Sequence, residues 1–218
     1  MTGEYMRSLT CNKEKAEMQY WVEQYSKEGK LFNLHYERFY TEHFGLSKEF
    51  YDGKRILDIG CGPRGSLEWA DGALARVGID PLANNYLKMG ISDLKMLFIH
   101  SVAEKIPFPN NYFDIISSFN SLDHVRSLDT VISQIKKKLK KNGFFLLLTD
   151  VNHDPTPAEP TCFSWDIVNK FYPEFDLLDE RHYEKANGIY QSITDGVQYN
   201  QNNHQKRSGV LSAKFIKR

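Results

Sequence analysis

Two carboxylates at the ends of short apolar runs, with a cluster of glycines between them, carry the first chemistry in this chain. Asp58 lies near the end of the run 56–59, and Gly60-Cys61-Gly62-Pro63-Arg64-Gly65 follows with the spacing G-x-G-x-x-G. Ser66 is a good N-cap for a helix over 65–71. Strand, glycine turn and helix together open a nucleotide-binding α/β unit. The glycines let a ligand approach the backbone, and the helix start offers unpaired N–H groups. Asp58 is placed to face an ammonium group, whereas it would repel the pyrophosphate of a dinucleotide. Val77-Gly78-Ile79-Asp80-Pro81 repeats the pattern, with Asp80 twenty positions after Gly60. An acid at the end of a second strand accepts hydrogen bonds from ribose hydroxyls.

A ligand with both a ribose and an amino-acid ammonium group fits S-adenosylmethionine. The segments LDIGCGPRG, GIDP and AEKIPFPNNYFDIISSFNSLDHV occur in that order, and the stretch 54–150 resembles the class I S-adenosylmethionine-dependent methyltransferases of the broad group termed type 11. The resemblance implies a Rossmann-like α/β fold: a seven-stranded, mostly parallel sheet in the order 3-2-1-4-5-7-6, with strand seven antiparallel and helices on its flanks. It also implies a cofactor site built from Asp58, Gly60, Cys61, Gly62, Asp80, Pro81, Ala103, Glu104 and Asn120. In similar methyltransferases the loop after strand three holds the adenine, often with an acidic side chain just before the Ala. Val102 stands at that position here. The adenine amino group is therefore expected to meet the backbone around Ala103, or Glu104. Asn120 is implied beside the methionine end of the cofactor, and S-adenosylhomocysteine is the implied product.

Methyl transfer is an in-line displacement at a carbon bonded to sulfonium, so the leaving group needs no proton. The protein has to align the acceptor and, for a hydroxyl or ammonium acceptor, remove its proton. A histidine is the natural base. His124 and His153, on loops at the carboxyl ends of strands four and five, are the candidates. A carboxylate acceptor would need neither. No metal centre is expected, because Asn120 occupies the place at the end of strand four where a metal-assisted mechanism wants an acid. The acceptor is expected to be a small metabolite, sugar-like or otherwise, methylated at oxygen. Tyr25, His35, Tyr36 and Tyr190 are its candidate contacts, with Asp195 and Tyr199 on the same long loop as Tyr190. Methylation of a protein or RNA, and a non-catalytic cofactor-binding subunit, are the competing readings.

Several elements have to position these groups. Strands are expected over 56–59, 75–79, 96–100, 113–120, 144–149, 175–183 and 209–217, with helices over 82–89, 163–171 and from Leu128 to an Asn142-Gly143 stop. In front of them, 13–28 and 31–44 carry aromatic residues at helical spacing, each closed by a glycine, Gly29 and Gly45. Residues 1–12 are expected as a loose start. The division is a helical cap over 1–52 and a methyltransferase domain over 53–218. Trp21, Tyr25, Phe32, His35, Tyr36 and Phe39 either close the pocket or pack against the sheet.

The 28 basic and 28 acidic residues cancel, so nothing in the charge asks for nucleic acid or an anionic membrane. The run Lys136-Lys137-Lys138, Lys140, Lys141 is expected as a solvated face at the sheet edge away from the ligand. No apolar run has membrane-spanning length. Cys11, Cys61 and Cys162 are scattered and lack metal spacing, which suits a reducing cytoplasm.

Overall fold

The computed structural model describes residues 3–31, 33–156, 159–203, 205 and 207–218, with side chains from residue 13 onward. The expected contribution of Phe32 lies outside the described residues. One sheet organises the rest: β1 Arg55–Ile59, β2 Ala75–Asp80, β3 Leu97–His100, β4 Phe113–Phe119, β5 Leu139–Val151, β6 Phe175–Glu184 and β7 Gly209–Lys217. Their order is β3-β2-β1-β4-β5-β7-β6. β1 to β5 run parallel, and β7 is antiparallel to both β5 and β6. This is the expected topology.

Side chains alternate between the two faces of each strand. Leu57, Ile116 and Leu147 point to one face, where Val131, Ile132 and Ile135 of α4 (Leu128–Lys138) cover them. Ile56, Ile115 and Leu146 point to the other, where Phe39, Tyr40, Phe44 and Tyr51 cover them. Both faces are therefore dry, as parallel strands require.

The N-terminal part departs from expectation. α1 spans Gly3–Glu28, so helix also replaces the loose start expected over 1–12. Gly29 ends it with φ 69° and donates its N–H to Tyr25 O at 2.8 Å. The second expected helix shrinks to α2 (Glu37–Tyr40) and a single 3-10 turn, Glu42–Phe44. Thr41 breaks it, at φ −105° and ψ −92°. The aromatics that suggested one long helical face instead interlock with the sheet: Tyr36, Phe39, Tyr40 and Phe44 are 6% exposed or less. Tertiary packing has overridden the helical spacing.

α4 also stops early. Leu139 turns extended and pairs with Phe113, so the chain enters β5 while still inside the lysine run. Asn142, at φ 61°, is a bend within β5 rather than a helix stop. Gly143 belongs there because a Cβ would sit 2.9 Å from Asp114 O. Three of the five lysines are committed to neighbours: Lys136 pairs with Glu174 at 2.8 Å, Lys140 with Asp114 at 2.6 Å, and Lys138 donates to Phe108 O at 2.7 Å, while Lys137 and Lys141 are exposed. Shorter helices, α3 (Ala83–Tyr86) and α5 (Ile189–Asp195), complete the chain, and 163–171 holds a 3-10 stretch, Trp165–Phe171. Among the described residues, no helix is long and apolar enough to cross a membrane.

Candidate active site

The carboxyl ends of β1 to β4 open into one cavity of about 460 Å³. Ile59 and Gly60 form its floor, Asp80 and Pro81 one wall, Ala103 and Glu104 another, and Asn120 and His124 the end nearest β4. Lys13, Glu14 and Glu17 of α1 lie across it. Two left-handed asparagines turn the chain at this edge: Asn120 after β4 (φ 54°) and Asn152 after β5 (φ 58°). Asparagine tolerates this conformation better than most residues, and such strained positions gather at functional sites.

Asp80 is 4% exposed and fixed by two backbone donors, Gly62 N at 3.1 Å and Leu82 N at 2.8 Å. A carboxylate has about four acceptor positions, so capacity remains for hydroxyls on a ligand in the cavity. Burial pushes its pKa up to about 6.

Asp58 is placed differently from Asp80. It does not line the cavity, because three hydroxyls occupy its oxygens: Tyr40 at 3.0 Å, Ser66 at 2.5 Å and Ser117 at 2.7 Å. Ser66 is thus spent on Asp58 and caps nothing, and residues 62–69 form successive turns rather than the expected helix. No helix N-terminus faces the ligand side of this loop. The glycines serve the protein's own packing. A Cβ on Gly60 would lie 2.4 Å from Ser121 Cβ, and one on Gly62 would lie 2.9 Å from the ring of Trp21 on α1. Cys61 faces inward, where a Cβ on Gly78 would meet its Sγ at 2.5 Å. Cys61 and Gly62, like Asp58, stand behind the cavity wall.

The two histidines flank one carboxylate. Asp123, in the 3-10 turn Leu122–His124, is fully buried. His124 Nε2 lies 3.8 Å from its Oδ1, and His153 Nε2 lies 4.0 Å from its Oδ2. His124 lines the cofactor-sized cavity. His153 lines a second, shallower hollow of about 330 Å³, together with Asn152, Cys162, Phe163, Tyr199 and Arg207. Asp123 stands beside His124 at the start of the loop after β4.

A family model described as a methyltransferase domain matches residues 21–199. The chain belongs to this methyltransferase family. Demethylmenaquinone methyltransferase of Geobacillus kaustophilus is 27% identical over 160 residues, covering 66% of this chain and 64% of that protein. Sterol 24-C-methyltransferase of Pneumocystis carinii is 29% identical over 166 residues, covering 71% of this chain and 37% of that protein. The chain therefore spans less than two thirds of either relative. A solved S-adenosylmethionine dependent methyltransferase from Mesorhizobium loti shares the fold, with a TM-score of 0.59 at 16% identity over 80% of this chain and all of that one. S-adenosylmethionine is the cofactor of such methyltransferases.

The expected acceptor contacts lie elsewhere in this chain. His35, Tyr36 and Tyr190 form one aromatic cluster, with ring centroids 4.2 Å apart for His35–Tyr36 and 5.5 Å for Tyr36–Tyr190. Tyr25 packs beside Leu31, Leu82 and Tyr86. None of the four lines either cavity. Burial holds the phenols of Tyr36, Tyr40 and Tyr190 far above their usual range, so they remain protonated donors. Lys13, Glu14 and Glu17, which do reach the cavity, were legible only as the polar positions on the helical face that also carries Trp21.

The Asp58 network yields a test of pH dependence. Burial raises the Asp58 pKa to about 6, against the pull of its three hydroxyl donors, and an unfolded aspartate titrates near ~3.9. The folded state therefore binds the proton more tightly. The resulting stabilisation is complete below the unfolded value and is lost as pH rises through about 6. Between pH 7 and pH 5 the ligand-free protein should gain on the order of 1 kcal/mol relative to Asp58→Asn, in which the titration is absent. Paired thermal melts at the two pH values read this directly. A constant offset between the two proteins would show that Asp58 does not titrate there.

Proposed function

We propose that this chain transfers the methyl group of S-adenosylmethionine to a small acceptor, at oxygen. The observation that carries the cofactor reading is the charge of the large cavity. Glu14, Glu17, Asp80 and Glu104 outnumber Lys13 and Arg126 among its lining residues. That balance suits a ligand bearing sulfonium and ammonium groups and opposes a pyrophosphate. Gly60, Asp80, Pro81, Ala103, Glu104 and Asn120 are assigned to the cofactor, with Asp80 accepting from ribose hydroxyls. Asp58, Cys61 and Gly62 support that wall from behind. When bound, the cofactor supplies a methyl group on sulfur and departs neutral, so nothing in the chain has to protonate it.

The chain's own tasks are to align the acceptor, exclude water and take up the acceptor's proton. The hollow beside His153 is assigned to the acceptor. Phe163 and Tyr199 give it apolar walls, and Asn152 and Arg207 give it polar ends, which suits a compact, partly apolar molecule. Within the 1–52 cap, α1 is assigned as the part that covers the cofactor. Transfer to carbon is the second reading, because the sterol relative is by name a C-methyltransferase.

Calorimetry should show S-adenosylmethionine binding and no NAD binding. Asp80→Ala should weaken the cofactor by about 1.5–3 kcal/mol, as hydrogen bonds to a charged acceptor are lost. Unchanged affinity in that variant would remove Asp80 from the site. Release of S-adenosylhomocysteine with pools of small hydroxylated molecules, followed by NMR of the product, tests the transfer and its target atom. Tight cofactor binding with no release against small-molecule, protein or RNA pools would favour a non-catalytic subunit.

A further inference from the structure

We infer that Asp123, His124 and Glu159 form a binding site for a divalent first-row transition-metal cation beside the cofactor cavity. The sequence suggested no metal, because Asn120 ends β4, but the acid the site needs lies three residues further on. His124 Nε2 is 3.8 Å from Asp123 Oδ1 and 4.0 Å from Glu159 Oε1. One ligand atom from each residue falls within 4.8 Å of the others. Nitrogen and oxygen ligands at roughly 2.0–2.2 Å in a tetrahedral site are separated by about 3.4 Å, so the two His124 separations have to close by about half an ångström and the carboxylate–carboxylate one by up to about 1.4 Å, through side-chain rotation.

Asp123 supplies the second, independent observation. Its side chain is fully buried, and neither oxygen has a hydrogen-bond partner among the described residues. Such a carboxylate normally carries a compensating partner. Its charged neighbours include His124 and two further acids, Glu159 and Asp150. The flanking histidines are too distant to hydrogen-bond it. A cation between Asp123, His124 and Glu159 satisfies the buried oxygens and the like-charged pair together.

The site is built from two segments that the fold ties together. Asp123 and His124 come from the turn after β4, and Glu159 from the loop after β5. Thr161 joins the two, donating its N–H to Asp123 O at 3.0 Å and its hydroxyl to Val125 O at 2.6 Å. One imidazole with two carboxylates suits zinc, manganese, iron or cobalt, and is a poor set for calcium or magnesium. The inference concerns ion binding alone and stands whether or not the chain transfers methyl groups.

Cobalt(II) titrated into the full-length protein is the probe, read by its visible d–d absorption and by calorimetry. One ion per chain is expected. Asp123→Asn and Glu159→Gln should each weaken it at least tenfold, while His182→Gln, at an exposed His–Glu pair away from the site, should leave it unchanged. Asp123→Asn keeps the side-chain shape and breaks no side-chain hydrogen bond among the described residues, so its metal-free melting temperature should not fall. Glu159 is partly exposed and provides a variant whose folding is not in question. Absence of binding to the wild type, undiminished binding in both site variants, or loss of binding in His182→Gln alone would each overturn the assignment.

Discussion

Replacing His153 by alanine is expected to cut kcat by about 10²–10⁴-fold while leaving S-adenosylmethionine affinity within about twofold. Asn152, left-handed at φ 58° and hydrogen-bonded through its N–H to Phe163 O at 2.9 Å, fixes the backbone that presents the ring. His153 Nδ1 lies 3.0 Å from Asp154 O, and a carbonyl there selects the tautomer with its proton on Nδ1. The lone pair is then on Nε2, which has no hydrogen-bond partner among the described residues. This is the state a general base needs. Because His153 lines the smaller hollow and not the cofactor-sized cavity, its loss should spare cofactor binding. Steady-state release of S-adenosylhomocysteine, with an acceptor found in the pools, measures kcat, and calorimetry measures affinity. Unchanged kcat in His153→Ala would remove it as base. If His124→Ala also left turnover intact, an acceptor that arrives ionised, such as a carboxylate, would become the better reading.

The parts of this molecule legible in its sequence are those governed by local pattern. The central parallel strands β1, β2 and β4 are buried on both faces, so 56–59, 75–79 and 113–120 stand out as apolar runs, and the acid or asparagine at each end marks the ligand edge. The placement of Asp80 follows from that pattern alone. Asp58 has the same local signature and a different fate, because the hydroxyls that occupy it come from residues 40, 66 and 117, on three separate segments. The aromatic spacing over 31–44 is real, yet it reports contact with the sheet rather than a helix. The end of α4 was misplaced because Leu139 pairs with Phe113 across the sheet, and a register of that kind leaves no local trace. The meeting of Asp123 with Glu159 is likewise a product of topology, made by the loop after β5 folding back over the turn after β4.

Deleting residues 1–28 is expected to leave a folded protein that still binds S-adenosylmethionine, about tenfold more weakly, and that loses methyl transfer by a much larger factor. The division falls at Glu28 because burial changes there. Among residues 13–28 of α1, no side chain is fully buried, whereas Phe39, Tyr40, Phe44 and Tyr51 beyond it are 2% exposed or less and belong to the core. A cut after residue 44 would remove that core and unfold the chain. A cut after residue 28 removes only a half-buried face, which is consistent with a helix that docks and releases. That face nevertheless closes the site. Lys13, Glu14 and Glu17 lie across the cavity, Trp21 covers Gly62, and Glu28 holds Arg64 of the glycine loop through two contacts of 2.8 and 2.5 Å. Without α1 the floor at Gly60 and the Asp80 wall persist, so cofactor binding survives. Water would then reach the sulfonium and the acceptor would lose its alignment, which penalises transfer more than binding. Near-UV circular dichroism and thermal melts establish folding, calorimetry gives affinity, and S-adenosylhomocysteine release gives turnover. An insoluble or molten truncation would show that α1 is core. A folded truncation with full activity would show that the site works without the helix. A folded, cofactor-binding and inactive truncation is the result that a closing helix requires, because only closure separates binding from transfer.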